Sequence, residues 1–122
     1  MATIIEIPLP CKLNQLYIPI RKGPYLAIAL SPKGRSDKYA VLDSISTQLG
    51  SNIEPYINDC YVNVRWRNGT RHRHDIDGII KQLLDCLTES RIIDDDSLIK
   101  SMTVELEPVA KPARCIVEIG EL

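Results

Sequence analysis

Residues 60–106 read CYVNVRWRNGTRHRHDIDGIIKQLLDCLTESRIIDDDSLIKSMTVEL, and the change of period along this stretch decides the fold. Over residues 60–66, Cys60, Val62, Val64 and Trp66 alternate with Tyr61, Asn63 and Arg65, the period of two of a half-buried strand. Asn68-Gly69 then turns or loosens the chain. From Asp77 onward Ile80, Leu83, Leu84 and Leu87 recur at helical spacing, so a helix with one apolar stripe is predicted there. Residues 98–107 return to strand character.

Outward from this stretch, residues 3–8 (TIIEIP) and 24–30 (PYLAIAL) are apolar runs expected to form strands. Pro, Asn and Lys fill the link between them. Ser31-Pro32-Lys33-Gly34 reads as a turn, after which Tyr39, Leu42, Ile45 and Leu49 fall at spacings of three and four, predicting a helix that Gly50 ends. Residues 113–119 form a closing strand. The expected order is β-β-α-β-α-β-β, an α/β (α+β) fold in which two helices cover a mixed or mostly antiparallel sheet.

A chain of 122 residues with 44% hydrophobic content suits one compact domain over 1–122. The N-terminus lacks a basic region followed by an apolar one, and no apolar run approaches the ~20 residues that span a bilayer. A cytoplasmic protein without membrane association is therefore expected. Cys11, Cys60, Cys86 and Cys115 lie far apart, a spacing that suggests neither a zinc site nor a redox pair and favours buried free thiols.

The net charge of -1 gives no global attraction to nucleic acid, but charge is segregated along the chain. Residues 11–36 carry Lys12, Arg21, Lys22, Lys33 and Arg35 without an acid, and residues 65–74 carry Arg65, Arg67, Arg71 and Arg73 likewise. Residues 75–96 then hold seven acids against two bases. Two basic tracts flanking an acidic stretch can hold a polyanion around a cation site; ordinary solvated surface charge is the plain alternative.

Asp75-Ile76-Asp77 stands where the basic loop meets the second helix, and Asp94-Asp95-Asp96 follows that helix. A helix folded back on the sheet would bring its two acidic ends together, and converging carboxylates call for a divalent cation. With Asp77 taken as helical, Asp77, Lys81 and Asp85 share one face opposite the leucines. Carboxylates for a metal and a cation near the phosphate are what phosphodiester hydrolysis needs. Each signal alone has a plainer reading: Asp is a common helix cap, Asp94–Asp96 reads as a solvated turn, and Lys81 as an intrahelical ion-pair partner. His72 and His74, alternating with Arg71 and Arg73, are explained by a phosphate-facing loop more simply than by metal ligation.

Taken together, residues 71–100 resemble the RusA family of Holliday junction resolvases, whose hallmark is basic residues, then D-x-D-N-x-x-K-x-x-x-D-A-L, then a D-D pair before a strand. Asp75, Asp77, Lys81, Asp85 and Leu87 fall on it in register, with Asp95-Asp96 on the acidic pair. Pro8, Pro10, Asn14 and Tyr17 match the family's N-terminal P-x-P-P-S-x-N-x-x-Y segment, so the resemblance spans nearly the whole chain.

The resemblance implies a Mg²⁺-dependent endonuclease, with Mn²⁺ as a substitute, that acts as a homodimer on branched DNA, nicking opposite strands of a four-way junction. It makes Asp75, Asp77 and Asp96 the metal-site carboxylates, Lys81 the catalytic cation and Asp95 a supporting acid. Lys12, Asn14, Arg21, Lys33, Arg65, Arg71 and Arg73 are the expected DNA contacts, and a prokaryotic or phage origin is implied. Two departures stand out: Gly78 replaces the usual Asn beside the metal site, and the chain has no Phe, with Leu84 where some relatives carry an aromatic and Cys86 for the small Ala. A non-catalytic junction-binding dimer and a flap or fork nuclease of the same fold are the alternatives.

Overall fold

The computed structural model describes residues 2–122. Its centre is the strand whose alternation is clearest. β4 (Cys60–Arg67) is flanked by β5 (Ile99–Leu106) and β6 (Arg114–Glu121), and β1 (Thr3–Ile7) completes a four-stranded sheet of order β1-β6-β4-β5. The β4–β5 pair is parallel and the others are antiparallel, so the sheet is mixed as expected.

The register aligns apolar side chains into rows across the strands. Ile5 faces Val117, Val117 faces Val64 and Val64 faces Val104. Because strand side chains alternate, this row and the adjacent row Ile7-Cys115-Trp66 lie on one face. That face is the core, with Val62, Val64, Trp66, Val117 and Ile119 essentially inaccessible. The opposite face is polar: the Tyr61 hydroxyl donates to Glu118 at 2.7 Å and the Thr103 hydroxyl to Asn63 Oδ1 at 2.8 Å.

Two helices cover the apolar face. α2 (Pro32–Leu49) starts within the segment read as a turn: the Ser31 hydroxyl caps it by accepting the Gly34 N–H at 2.8 Å, and Pro32 takes the first position, where no N–H is needed. Its buried stripe is Val41 and Ile45 with Leu42 and Leu49 half-buried, whereas Tyr39 points outward, 62% exposed. Gly50 ends it at φ +76°, as the sequence predicts.

α3 runs Ile80–Glu89 and buries Leu83 and Leu87, together with Gln82 and Cys86. It begins three residues later than expected. Residues 76–79 form a turn, in which the Gly78 N–H bonds the Asp75 carbonyl, so Asp77 lies outside the helix and shares no helical face with Lys81.

The segment read as a link holds two further elements. A single turn, α1 (Leu13–Leu16), leads into β2 (Tyr17–Lys22), which pairs only with β3 (Tyr25–Leu30) in a separate hairpin closed by Gly23 at φ +58°. Pro19 hid β2 from the sequence reading, because proline argues against a strand unless it lies on an edge. β2 is such an edge.

Gln82 ties these elements together. Fully buried, it accepts the Cys11 N–H at 2.6 Å and donates to the Gly34 carbonyl at 2.7 Å. Gly34 itself is required by close approach, since a Cβ there would sit 2.7 Å from the Leu16 carbonyl oxygen. The four cysteines are free and buried, and burial pushes the Cys86 and Cys115 thiols up to about 12, which keeps them protonated and unreactive. Among the described residues, no helix is long and apolar enough to cross a membrane.

Gln82→Leu keeps the volume but strands one buried N–H and one buried carbonyl. We expect it to lower unfolding free energy by about 2–5 kcal/mol, read from urea denaturation; a loss below about 1 kcal/mol would show that neither hydrogen bond matters.

Candidate active site

The loop between β4 and α3 is held by the end of β4. Trp66 is wholly buried, and its indole N–H donates to the Ile76 carbonyl at 3.0 Å. Because Ile76 stands between Asp75 and Asp77, this bond fixes the two aspartates over the edge of the core. Asn68, also buried, uses its carbonyl oxygen to accept both the N–H and the hydroxyl of Thr70, each at 3.1 Å. Those bonds orient its amide N–H₂ toward His74 Nδ1, 3.4 Å away. The His74 ring meets Trp66 edge-on with centroids 6.2 Å apart. His74 is thus part of the loop's scaffold rather than a freely phosphate-facing side chain.

Asp75 and Asp77 line a cleft of about 370 Å³ with Lys12, Leu13, Asn14, Arg73, His74 and Gly78. Both aspartates are exposed, and among the described residues neither carboxylate has a hydrogen-bond or ion-pair partner. Lys12 reaches in from the other wall, its ammonium donating to His74 Nδ1. Desolvation by burial, and then the charge of Lys33, lower the Lys12 pKa.

The second acidic group lies elsewhere. Asp95 and Asp96 line a separate shallow cleft of about 350 Å³ with Lys38, Asp85, Thr88 and Glu89. Lys81 belongs to this side: its ammonium bonds both oxygens of Asp85, at 3.0 and 3.2 Å. Those bonds raise its pKa first, with smaller contributions from Tyr17 and Asp96. The ordinary intrahelical ion pair is thus what Lys81 makes in this structure.

Among the described residues, no three His, Cys, Asp or Glu side chains stand close enough together to hold a metal ion. Asp75 and Asp77 nevertheless suit magnesium, which binds through one or two carboxylates and keeps waters and substrate oxygens for its remaining positions. Two exposed, unpartnered carboxylates in one cleft are that donor set.

The expected DNA contacts divide. Lys12, Asn14 and Arg73 line the Asp75–Asp77 cleft, and Arg71 is exposed on the loop leading to it. Arg21 stands exposed near the hairpin tip, while Lys33, on the first turn of α2, pairs with Asp37 at 2.9 Å. Arg65 points away from the helices and lines a cleft on the open sheet face with Asn63, Glu105 and Glu118. The strand alternation that buries Val64 and Trp66 sends Arg65 to the far side.

A family profile described as endodeoxyribonuclease RusA matches residues 40–120. No curated protein matches the chain.

Asp95 titrates below the usual carboxylate range because the Ser97 hydroxyl, then the Ser97 backbone N–H, donate to it. A carboxyl depressed in the folded state stabilises the turn it caps above the ordinary carboxylate pKa and loses that effect as pH falls through its own lower value. Ser97→Ala removes the larger cause, so the Asp95 carboxyl signal, followed by NMR from about pH 2 to 6, is expected to titrate at higher pH than in the parent chain. An unchanged midpoint would mean that the hydroxyl does not cap it.

Proposed function

The chain belongs to the RusA family of endodeoxyribonucleases, and on that premise we propose that residues 1–122 form one magnesium-dependent endonuclease domain that resolves four-way DNA junctions by paired, symmetric cuts. The observation that carries this reading is the cleft itself: two unpartnered carboxylates, Asp75 and Asp77, facing two basic side chains, Lys12 and Arg73. A phosphodiester brings negative charge, which the basic wall attracts, and the paired carboxylates have a role beside it only with a cation between them.

Asp75 and Asp77 would hold the ion, and Mn²⁺ would serve in place of Mg²⁺. When bound, that ion supplies Lewis acidity for hydrolysis of the phosphodiester. Asp96, supported by Asp95, would act from the separate cleft it shares with Asp85, outside the Asp75–Asp77 pair. Arg73, Arg71 and Asn14 steer the DNA backbone toward the cleft, and Arg21 and Lys33 extend the basic surface to the hairpin tip and α2. Arg65 would reach DNA only through the open sheet face.

Paired cutting needs two active sites, and a two-fold dimer supplies them. The hairpin is the surface best suited to that contact. Tyr25, Leu26 and Ile28 are 74%, 76% and 71% exposed. Cross-strand register puts Leu26 and Ile28 on one face with Tyr17 and Pro19. An isolated hairpin is at best marginally stable without cover. Contiguous exposed apolar side chains of this kind mark an interaction surface, and a second copy of the hairpin would cover them.

Two predictions test the reading. With a labelled synthetic four-way junction, Mg²⁺ is expected to support paired nicks that a matched linear duplex does not receive. Asp75→Asn is expected to abolish cutting while leaving junction binding equal or tighter, because an anion that repels phosphate is gone. Equal loss of binding and cutting in that variant would make Asp75 structural, and junction binding by the parent chain without cutting in Mg²⁺ or Mn²⁺ would make the protein a junction-holding one. Flap and fork substrates in the same panel decide the branch preference. Separately, Leu26→Asp with Ile28→Asp is expected to convert a dimer to a monomer in light scattering; a dimer of unchanged mass would remove the hairpin from the interface.

A further inference from the structure

Lys12 stands in the Asp75–Asp77 cleft without a carboxylate partner, which is unusual for a half-buried ammonium with two aspartates lining the same cleft. The described ion pairs engage Lys33, Lys38, Lys81 and Arg114, and none engages Lys12. Its bonded neighbour is the Nδ1 atom of His74. An ammonium has three donors. One is used by His74 Nδ1, and the others have no protein acceptor among the described residues.

The state of His74 follows from its surroundings. Both groups facing Nδ1, the Lys12 ammonium and the Asn68 amide, are donors, so Nδ1 carries a lone pair. The proton then sits on Nε2, which donates to the Thr70 carbonyl at 3.4 Å. Trp66 packs on the ring's edge. The imidazole is therefore an acceptor of set position, built onto the end of β4.

The backbone on either side of Lys12 is equally constrained. The Cys11 N–H is held by Gln82 at 2.6 Å and the Leu13 N–H by the Gly78 carbonyl at 2.8 Å. Both acceptors belong to α3 or the turn before it, so the segment bearing Lys12 is tied to the segment bearing the aspartates. Gly78 lies against both segments: a Cβ there would press on the Asp75 carbonyl oxygen at 3.1 Å and stand in ordinary contact with Lys12 Cγ at 4.0 Å. Lys81, by contrast, is engaged by Asp85 outside this cleft.

Resting on the nuclease reading above, we infer that Lys12 is the cation that contacts the scissile phosphate in the Asp75–Asp77 cleft, and that His74 is a positioning residue which holds the Lys12 ammonium there. A cation held in place by a ring nitrogen, and not by a carboxylate, keeps spare donors for the phosphate oxygens and needs no reorganisation as charge develops on them. An ion pair with Asp75 or Asp77 would instead spend that charge before substrate arrived.

The test is single-turnover junction cleavage at saturating protein, with junction affinity measured in EDTA. Lys12→Ala is expected to cut about 100-fold more slowly, the size of effect of one preorganised donor. Its junction Kd should stay within about 3-fold, since the contact strengthens in the transition state. Lys12→Arg should recover most of the rate. For His74 the choice of variants separates positioning from packing: His74→Asn keeps an acceptor near the Nδ1 position, whereas His74→Phe keeps the ring against Trp66 and removes the acceptor. His74→Asn should cut within about 5-fold of the parent and His74→Phe should fall with Lys12→Ala.

The inference is overturned if Lys12→Ala cuts at the parental rate, if it loses affinity and rate in the same proportion, or if His74→Phe outperforms His74→Asn. Should the parent chain cut nothing, the nuclease reading fails by itself, and NMR of chain labelled with ¹³Cε-lysine then decides the present point. On titration with thymidine 3′,5′-bisphosphate in EDTA, a saturable shift of the Lys12 signal that is lost in His74→Phe supports it, and an unmoved signal refutes it.

Discussion

A buried indole N–H needs an acceptor, and in this chain Trp66 finds the carbonyl of Ile76. That bond joins the two parts on which the molecule depends. Trp66 belongs to the core because β4 is an interior strand, paired on both sides, and its inward row is closed over by α2 and α3. Ile76 belongs to the site because it separates Asp75 from Asp77. Leaving the indole unsatisfied in the core would cost on the order of 1–3 kcal/mol, so the loop is drawn to the sheet by the same term that keeps the core intact.

Around that anchor, polar groups are arranged so that each fixes the next. Asn68 holds Thr70, which fixes the direction of the Asn68 amide, and that amide together with Lys12 sets the His74 tautomer. Gln82 performs the same service on the opposite wall, binding the chain before α1 and the first turn of α2 to α3. The result is a cleft with hydrogen-bonded walls, lined by exposed carboxylates that make no bonds of their own among the described residues. Hydrogen bonding in the walls and open valence at the aspartates is the division of labour expected where a site binds an ion and a polyanion.

The two acidic segments flank α3 but do not meet in one cleft, and α3 explains why. It is ten residues long, a length of about 15 Å at the usual rise, and the aspartates before and after it remain near opposite ends. Lys81 is the second residue of the helix and leans toward Asp85, along the helix, because an i, i+4 pair is the nearest favourable contact for its ammonium. The cation within reach of Asp75 and Asp77 comes from the N-terminal segment, more than sixty positions earlier in the chain.

Periodicity alone carried the architecture. Alternation at Cys60, Val62, Val64 and Trp66 and the leucine spacing after Ile80 are local consequences of which face meets the core, so the mixed sheet and its two covering helices were readable from them. The aspartate spacing likewise marked the loop that lines the candidate site. Partners distant in sequence were not readable. β2 is stabilised by pairing with β3 in spite of Pro19, Tyr39 faces solvent because Val41 is better placed against the sheet, and Arg65 turns from the cleft because its neighbours turn inward. The pairing of Lys12 with His74 arises only when Gln82 and Gly78 bring the N-terminal segment onto α3: a side chain's partner is chosen by packing across the fold, whereas its face on a strand or helix is chosen by the few residues beside it.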